Sequence, residues 1–240
     1  MKKLMLLLAA AGLFSGCVFR IPGFKINIGN NTIVEGSGVL ASKTFDVPPF
    51  SGIKVVGSTD VDFTQGPQSV VLFTDDNLID YYEISVEDGI LVVGLKSGTS
   101  ISPETDDMLR ISCPDISSVT LSGSGDINIG GRLKTAESLS ITLAGAGDID
   151  AETVECKALS VSLNGSGDIG VKSLTAPECS VQINGSGDVD IVCRNAGDIS
   201  AAVNGSGDIT LSGSARSVKT RVLGSGDVST SGLTVSQGER

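Results

Sequence analysis

The chain has 240 residues, of which 31 are glycine and none is histidine or tryptophan. Its formal net charge of −11 at pH 7 excludes nucleic acid as a partner that is held by charge. A hydrophobic content of 40% argues against disorder, and an aromatic content of only 4% favours thin layers of aliphatic side chains over a large globular enzyme core.

Residues 1–16 have the pattern of a bacterial export signal. Two lysines precede the apolar run 4–13, and small residues then lead to Cys17. This order resembles a lipobox, whose cysteine is acylated and becomes the first residue of the mature chain, although Phe14 stands where an aliphatic residue is usual. The run is too short to span a bilayer. We therefore expect a signal peptide over 1–16 and lipidation at Cys17.

A lipid on Cys17 predicts a lipoprotein of the bacterial cell envelope, in the outer membrane. Without residues 1–16 the chain has 15 basic and 28 acidic residues, a net charge of −13. It has no basic cluster for lipid headgroups, so its attachment to the membrane rests on the acyl chains, at about 0.8 kcal/mol per buried CH₂. The membrane face and the oligomeric state are left open.

Residues 17–42 are rich in glycine and asparagine, and we expect them to form a tether. The alternation of Phe24, Ile26 and Ile28 allows one added strand there.

The folded domain is expected over 43–235, and its first part, 43–112, is the less regular half. Glu87-Asp88-Gly89 predicts a hairpin turn, and therefore antiparallel pairing. The segment Gly57-Ser58-Thr59-Asp60 is an altered copy of a phrase that recurs later, which indicates that the regular coil begins before the obvious repeats. Alternating apolar residues predict strands at Ile53 to Val56, Val61 to Thr64, Val70 to Phe73, Ile84 to Val86 and Ile90 to Leu95.

The phrase Gly-Ser-Gly-Asp, followed by Ile or Val, recurs through residues 113–235, once as the variant Gly145-Ala146-Gly147-Asp148. Its aspartates are 22, 20, 20, 20 and 19 residues apart, which indicates one unit stacked on copies of itself. Alternate apolar residues precede each phrase, as in Leu159, Val161 and Leu163, and no stretch has a helical period. A unit this short cannot hold a crossover helix. The sequence therefore predicts an all-β fold, a right-handed parallel β-helix whose rungs of about 20 residues stack about 4.8 Å apart.

Two columns of polar residues at the corners are expected to be structural. Glycine permits positive φ and leaves no Cβ to collide with the next rung. An aspartate can accept hydrogen bonds from the backbone N–H groups just after it, as in an Asx-turn. The corner ladder consists of Asp126, Asp148, Asp168, Asp188, Asp208 and Asp227. The amide ladder consists of Asn164, Asn184 and Asn204, whose amides are expected to hydrogen-bond along the axis.

The four remaining cysteines, Cys113, Cys156, Cys179 and Cys193, share the apolar parity of their strands. We expect them to be buried free thiols that pack as small hydrophobic residues. Disulfide pairing in an envelope compartment is the alternative.

Catalysis is not expected, because the chain lacks histidine and a nucleophile paired with a base. A carbohydrate-active β-helix enzyme is the main alternative. Its two carboxylates would come from Asp148 and Asp150, or from Asp188 and Asp190, which stand two residues apart on the same face. The corner phrase also echoes a calcium-binding repeat, but that repeat has a period of nine residues. Weak calcium binding by stacked carboxylates is left open, and no cofactor is expected.

Residues 43–230 resemble the head GIN domain family, autotransporter-adhesin-like proteins of the bacterial envelope. The resemblance implies a β-helical fold and an adhesin or interaction module for a surface ligand such as a glycan or a protein, and it supplies no catalytic residues. A purely structural envelope lipoprotein is a further alternative. The resemblance rests on Phe45-Asp46-Val47, Ser51-Gly52-Ile53, Asp60-Val61, Gln65-Gly66, Asp75-Asp76-Asn77-Leu78, Asp88-Gly89-Ile90-Leu91 and the later Gly-Ser-Gly-Asp repeats, in that order.

Overall fold

The computed structural model describes residues 25–28 and 31–236, so the expected signal peptide and Cys17 lie outside the described residues. A single 3-10 turn at Ile79–Tyr81 is the only helical element in this part, where no helix is long and apolar enough to cross a membrane. The strands before the repeats are β1 (Lys25–Ile28), β2 (Asn31–Glu35), β3 (Leu40–Thr44), β4 (Gly52–Gly57), β5 (Asp60–Gln65), β6 (Ser69–Asp75), β7 (Tyr82–Glu87), β8 (Ile90–Leu95), β9 (Thr99–Ser102) and β10 (Met108–Cys113). The strands of the repeats are β11 (Ser118–Gly123), β12 (Ile127–Lys134), β13 (Ser138–Leu143), β14 (Ile149–Glu155), β15 (Ala158–Leu163), β16 (Ile169–Thr175), β17 (Glu178–Ile183), β18 (Val189–Gly205), β19 (Ile209–Gly224) and β20 (Val228–Val235).

The repeated half is a parallel β-solenoid, as predicted. Each rung has one strand before its glycine-rich corner and one after it, and each strand pairs in parallel with its equivalent in the next rung. Before the corner, β13 pairs with β15 and β15 with β17, so Leu159 stands opposite Cys179. After the corner, β14 pairs with β16, and Ile149 stands opposite Ile169. Because equivalent residues stay in register, the apolar positions form continuous columns.

The interior is filled by alternate aliphatic side chains, one layer per rung. Val161, Val181 and Val203 are each 1% exposed, whereas Ser180, next to Val181 in the sequence, points outward and is exposed. A period of two residues is what places neighbours on opposite sides of a strand. The alternation of apolar residues seen in the sequence therefore corresponds to an alternation of inward and outward side chains at these positions.

The four cysteines of the solenoid are buried and free, as expected for thiols that serve as small hydrophobic residues. Burial raises the pKa of the Cys179 thiol to about 12 and that of Cys193 to about 11. The thiols therefore stay protonated at neutral pH, which disfavours nucleophilic chemistry.

The predicted hairpin joins β7 and β8, which pair antiparallel with Glu87 opposite Ile90. Asp88 and Gly89 both have positive φ, 51° and 77°, as a type I′ turn requires. A second antiparallel pair, β3 with β6, lies beside the solenoid. The predicted antiparallel pairing in the first half is confirmed.

The order of the first rungs in space differs from their order along the chain. Strand β4 pairs with β8 on one side and with β11 on the other. Strand β5 likewise lies between β10 and β12. The rung formed by residues 52–65 is therefore enclosed by two rungs that come later in the sequence. Gly57 stands opposite Gly123, so the altered copy of the corner phrase occupies a true corner.

A small separate sheet contains β1, β2 and β9. Strand β1 pairs antiparallel with β2, placing Ile26 opposite Ile33. Strand β2 pairs in parallel with β9. Strands β1 and β2 belong to the segment 17–42 that was expected to be a tether, so part of this segment is folded. The sequence had allowed one added strand here, because alternating apolar residues favour pairing over a solvated linker.

Candidate functional site

The corner aspartates form one continuous ladder along the solenoid. The Oδ1 atom of each carboxylate accepts a hydrogen bond from the backbone N–H of the aspartate in the next rung, at N to O distances of 2.8 to 2.9 Å. Asp60 begins the ladder, because its Oδ1 accepts from the N–H of Asp126 at 2.9 Å. The ladder then continues through Asp148, Asp168, Asp188, Asp208 and Asp227.

The hydrogen-bond donor in this ladder differs from the one expected for an Asx-turn. The N–H just after Asp148 belongs to Ile149, and it already donates to the carbonyl of Asp168 at 3.0 Å. The N–H that an Asx-turn would use is therefore occupied by backbone pairing between rungs. The carboxylate instead accepts a hydrogen bond from the N–H of the corner aspartate in the next rung. This arrangement supports a structural role for the corner ladder, which stays a prediction.

The corner glycines are required mainly by the close approach of successive rungs. A Cβ on Gly167 would lie 1.9 Å from the carbonyl oxygen of Gly147, a distance that no side chain tolerates. Positive φ applies at few of these corners, for example at Gly224 with 138°. Of the two reasons expected for glycine, the missing Cβ therefore dominates.

The three asparagines are neighbours along the axis. The Asn184 amide nitrogen donates to Asn164 Oδ1 at 2.9 Å, and the Asn204 amide nitrogen donates to Asn184 Oδ1 at 3.5 Å. These bonds use the amides within the protein and support the predicted structural role of this ladder.

The carboxylates considered for catalysis lie on an open strand face. Register places Asp150 and Asp190 on either side of Gly170, two rungs apart, or about 9.6 Å by rung spacing. Both side chains are exposed. An acid catalyst with a raised pKa usually needs a pocket that excludes water, and this surface does not provide one for these two residues.

The outward residues of the strands before the corners form a surface that we call the serine face. Ser140, Ser160, Ser180 and Ser200 stand side by side on four successive strands, and Lys219 follows on the next. By strand geometry, neighbours are about 4.8 Å apart across rungs and about 7 Å apart along a strand. Further hydroxyls on this face come from Ser138, Thr142, Ser162 and Ser217.

A shallow depression of about 550 Å³ runs over the serine face. Its lining includes the charged residues Glu178, Asp198 and Lys219. Asp198 accepts hydrogen bonds from Arg216 Nε at 2.9 Å and from Ser217 Oγ at 2.7 Å, and these bonds lower the pKa of Asp198 to about 2. The depression is thus lined by hydroxyl groups, by charged side chains and by parts of the apolar residues Leu159, Cys179 and Ile199. The sequence signal for this face is the polar half of each alternation, which repeats serine at the same position in successive rungs.

A second depression, of about 580 Å³, lies on the strands after the corners. We call it the Arg110 groove. Val71, Arg110, Asp62 and Asn128 stand in one row across β6, β10, β5 and β12. The Arg110 guanidinium lies 4.7 Å from the centre of the Phe73 ring. Sequence reasoning missed this site because its strands are adjacent only through the altered rung order.

Solved structures share the fold of the chain. A putative adhesin from Bacteroides fragilis is 20% identical with a TM-score of 0.67, and the match covers 81% of this chain and 98% of that one. A putative adhesin from Parabacteroides merdae is 23% identical with a TM-score of 0.54, over 82% and 98% of the two chains. A putative lipid binding protein from Parabacteroides distasonis is 22% identical with a TM-score of 0.52, also over 82% and 98%.

Family comparison gives the same answer as the resemblance seen in the sequence. No curated protein matches the chain. Residues 49–174 and 162–239 match the family described as "Putative auto-transporter adhesin, head GIN domain". These segments cover most of the chain, including the solenoid and its corners. The protein therefore belongs to the head GIN domain family of putative auto-transporter adhesins.

Proposed function

We propose that the protein is a lipid-anchored interaction module of the bacterial cell envelope, whose serine face binds a surface ligand, a glycan or a protein. The observation that carries the proposal is the register of Ser160, Ser180 and Ser200 across successive rungs. Within residues 31–236 these hydroxyls make no hydrogen bond to the protein. A hydroxyl both donates and accepts, so this column suits a ligand with repeated polar groups. Membership of an adhesin-like family supports the same function.

The rigidity of the serine face favours recognition of an extended ligand. Each serine is set on a strand that pairs on both sides, and the inward neighbours such as Val181 are buried. Little conformational entropy is then lost when the hydroxyls bind, because their backbone is already ordered. Single hydroxyl contacts are weak, so affinity would come from several rungs acting together.

The serine face is tested by placing a charge in its centre. The soluble body, residues 18–240, is applied to arrays of glycans and matrix proteins, together with Ser180→Glu and the control Thr210→Glu. Both positions are exposed on strands, but Thr210 lies after the corner and outside the serine face. We expect Ser180→Glu to lose the ligand that the unmodified protein and Thr210→Glu retain. Equal binding by both variants would contradict the proposal.

The anchor is tested at Cys17, which the basic and apolar leader places at the cleavage position. Cys17→Ala should lose incorporation of labelled fatty acid and leave the outer-membrane fraction. Unchanged labelling would disprove lipidation at this residue.

The two alternatives give different results in the same experiments. A carbohydrate-active enzyme would release reducing ends or unsaturated products from a polysaccharide panel, and Asp150→Asn or Asp190→Asn would abolish them. A purely structural envelope component would bind nothing on either array. Neither alternative is favoured by a specific observation in the described residues.

A further inference from the structure

The Arg110 groove brings an arginine, an aspartate, an asparagine and two partly exposed apolar side chains together in one depression. It lies on the strands after the corners, at the end of the solenoid where the rung order is altered. Four strands, β6, β10, β5 and β12, form its floor. Because β5 is enclosed between β10 and β12, side chains from distant parts of the sequence meet in one row. The groove and the serine face are therefore separate surfaces.

Arg110 supplies a guanidinium group that is open to an anionic ligand. Its side chain is exposed, and it forms no ion pair within residues 31–236. The Phe73 ring instead holds the guanidinium at 4.7 Å, a contact that restricts its orientation. A guanidinium held in one plane presents paired N–H donors that match a carboxylate. Although the chain has a net charge of −11, this guanidinium gives the groove a local positive group for an acidic ligand.

Asp62 and Asn128 require that the ligand also carries hydrogen-bond donors. Asp62 stands opposite both Arg110 and Asn128, and its Oδ1 accepts from the Asn128 amide nitrogen at 3.4 Å. An ionised carboxylate only accepts hydrogen bonds, whereas an amide both donates and accepts. A ligand with a carboxylate alone would be repelled by Asp62. A ligand with hydroxyl groups next to its carboxylate would meet each of these side chains favourably.

Val71 and Phe73 add an apolar part to the floor, and both are partly exposed within the groove. The volume of about 580 Å³ falls in the range of small-ligand sites, about 300 to 1,000 Å³. The groove thus offers an apolar floor, a guanidinium that can bind a carboxylate through two hydrogen bonds, and polar side chains for hydroxyl groups. These groups complement a sugar ring that bears a carboxylate.

We propose that the Arg110 groove binds an acidic saccharide, a sugar chain that contains uronic acid residues. The carboxylate pairs with Arg110, the C–H face of the ring lies on Val71 and the exposed part of Phe73, and hydroxyls bond to Asp62 and Asn128. This site is independent of the serine face, and its failure would leave the proposed function untouched.

The test is calorimetric titration of the soluble body with trigalacturonate, with neutral maltotriose and the peptide triglutamate as comparison probes. We expect binding of trigalacturonate alone, weakened by high salt because charge contributes to it. Arg110→Gln should weaken binding about tenfold or more, and Phe73→Leu should weaken it less. Arg194→Gln removes the same charge from an exposed site in a later rung and should change nothing. Ser180→Glu should also bind as the unmodified protein does, which separates this site from the serine face.

Three results would overturn the proposal. The first is the absence of heat with trigalacturonate at millimolar concentration. The second is equal weakening by Arg110→Gln and Arg194→Gln, which would indicate an effect of net charge only. The third is equal binding of triglutamate or maltotriose, which would show that the groove recognises a carboxylate or a sugar ring alone.

Discussion

Asp75 joins three segments that are far apart in the sequence. Its carboxylate is fully buried, and it accepts hydrogen bonds from the N–H of Gly38 at 2.5 Å, of Glu104 at 2.9 Å and of Thr105 at 3.1 Å. Burial by itself would raise the pKa of Asp75, but these donors outweigh it and hold the pKa below its usual value. The end of β6 is thereby fixed to the loops that precede β3 and follow β9.

Replacing Asp75 with asparagine should destabilise the protein, because the new amide points donors at N–H groups that need an acceptor. We expect a loss of about 2 to 3 kcal/mol in the free energy of unfolding at pH 7, measured by urea denaturation. Asp80→Asn is the control, because that side chain is 90% exposed and makes only a 3.6 Å contact with Lys43.

The pH dependence of this loss has a definite sign. Since the pKa of Asp75 is lowered in the folded state, its contribution is complete above the unfolded pKa of about 3.9 and disappears as the pH falls through the folded pKa. The difference in the free energy of unfolding between Asp75→Asn and the unmodified protein should therefore narrow towards pH 3. Burial raises the pKa of nearby Asp107, and the charge of Asp75 adds a smaller part to that rise. Replacing Asp75 removes this repulsion, which offsets a small part of the narrowing without reversing its sign. A difference in the free energy of unfolding that does not change with pH would contradict this account.

The role of Asp75 could not be predicted from the sequence. Its partners are 29 to 37 residues away, and no local pattern distinguishes it from Asp76, which follows it and is exposed. By contrast, the aspartates of the corner ladder were identified from their period alone. A residue that recurs at a fixed period can be placed from the sequence, whereas the role of a residue that occurs once depends on its tertiary contacts.

The glycine-rich corner could be predicted as an element, but its hydrogen bonds could not. Alternation of apolar residues and the repeat spacing predicted strands and bends, and the strands lie where they were expected. The pairing of each carboxylate with the next rung depends on which N–H groups the ladder leaves free, as at Ile149. The way the rungs stack decides which N–H groups are free, so the sequence of a single repeat does not show it.

At the corner of residues 205–208, Gly207→Val should be far more damaging than Asp208→Asn. A Cβ on Gly207 would lie 2.0 Å from the carbonyl oxygen of Gly187, so we expect a cost of about 3 kcal/mol or more. Asparagine at 208 keeps an oxygen for the N–H of Asp227, now at 2.8 Å, and should cost under about 1 kcal/mol. Thermal unfolding of both variants measures the difference.

Calcium provides the control for this prediction. If the corner carboxylates are satisfied by backbone N–H groups, then adding or chelating calcium should move the melting temperature by less than about 3 °C. A large calcium-dependent rise together with a severe loss in Asp208→Asn would indicate a metal site instead of a hydrogen-bonded corner.

For the whole molecule, the solenoid was predictable and the order of its first rungs was not. The phrase Gly57-Ser58-Thr59-Asp60 marked a corner, but its partner Asp126 lies 66 residues further on, far from the period of about 20 residues. The hairpin and strands of 69–113 fill that interval and complete the neighbouring rung. The Arg110 groove depends on this arrangement, which explains why the sequence pattern gave no sign of it.

The two ends of the solenoid differ in the described residues. At the first end, antiparallel strands close the stack, β7 beside β8 and β3 beside β6. At the other end, the last part of β19 pairs with β18, and Val222 and Leu223 are 39% and 51% exposed. Because a solenoid is stabilised mainly by contacts between neighbouring rungs, stability should decrease towards this second end.

The same substitution in two rungs of one column measures this difference. Val203 and Val222 stand opposite each other in register, but Val203 is 1% exposed and Val222 is 39% exposed. Val203→Asp buries an unpaired charge and should cost about 4 kcal/mol, whereas Val222→Asp, at the open end, should cost about 1 kcal/mol or less. Hydrogen exchange should agree, with faster exchange in β20 than in β15 and β17, since terminal rungs open locally before the whole domain unfolds. Equal costs at the two valines, or equal protection of β20 and β15, would mean that in solution another chain covers this end.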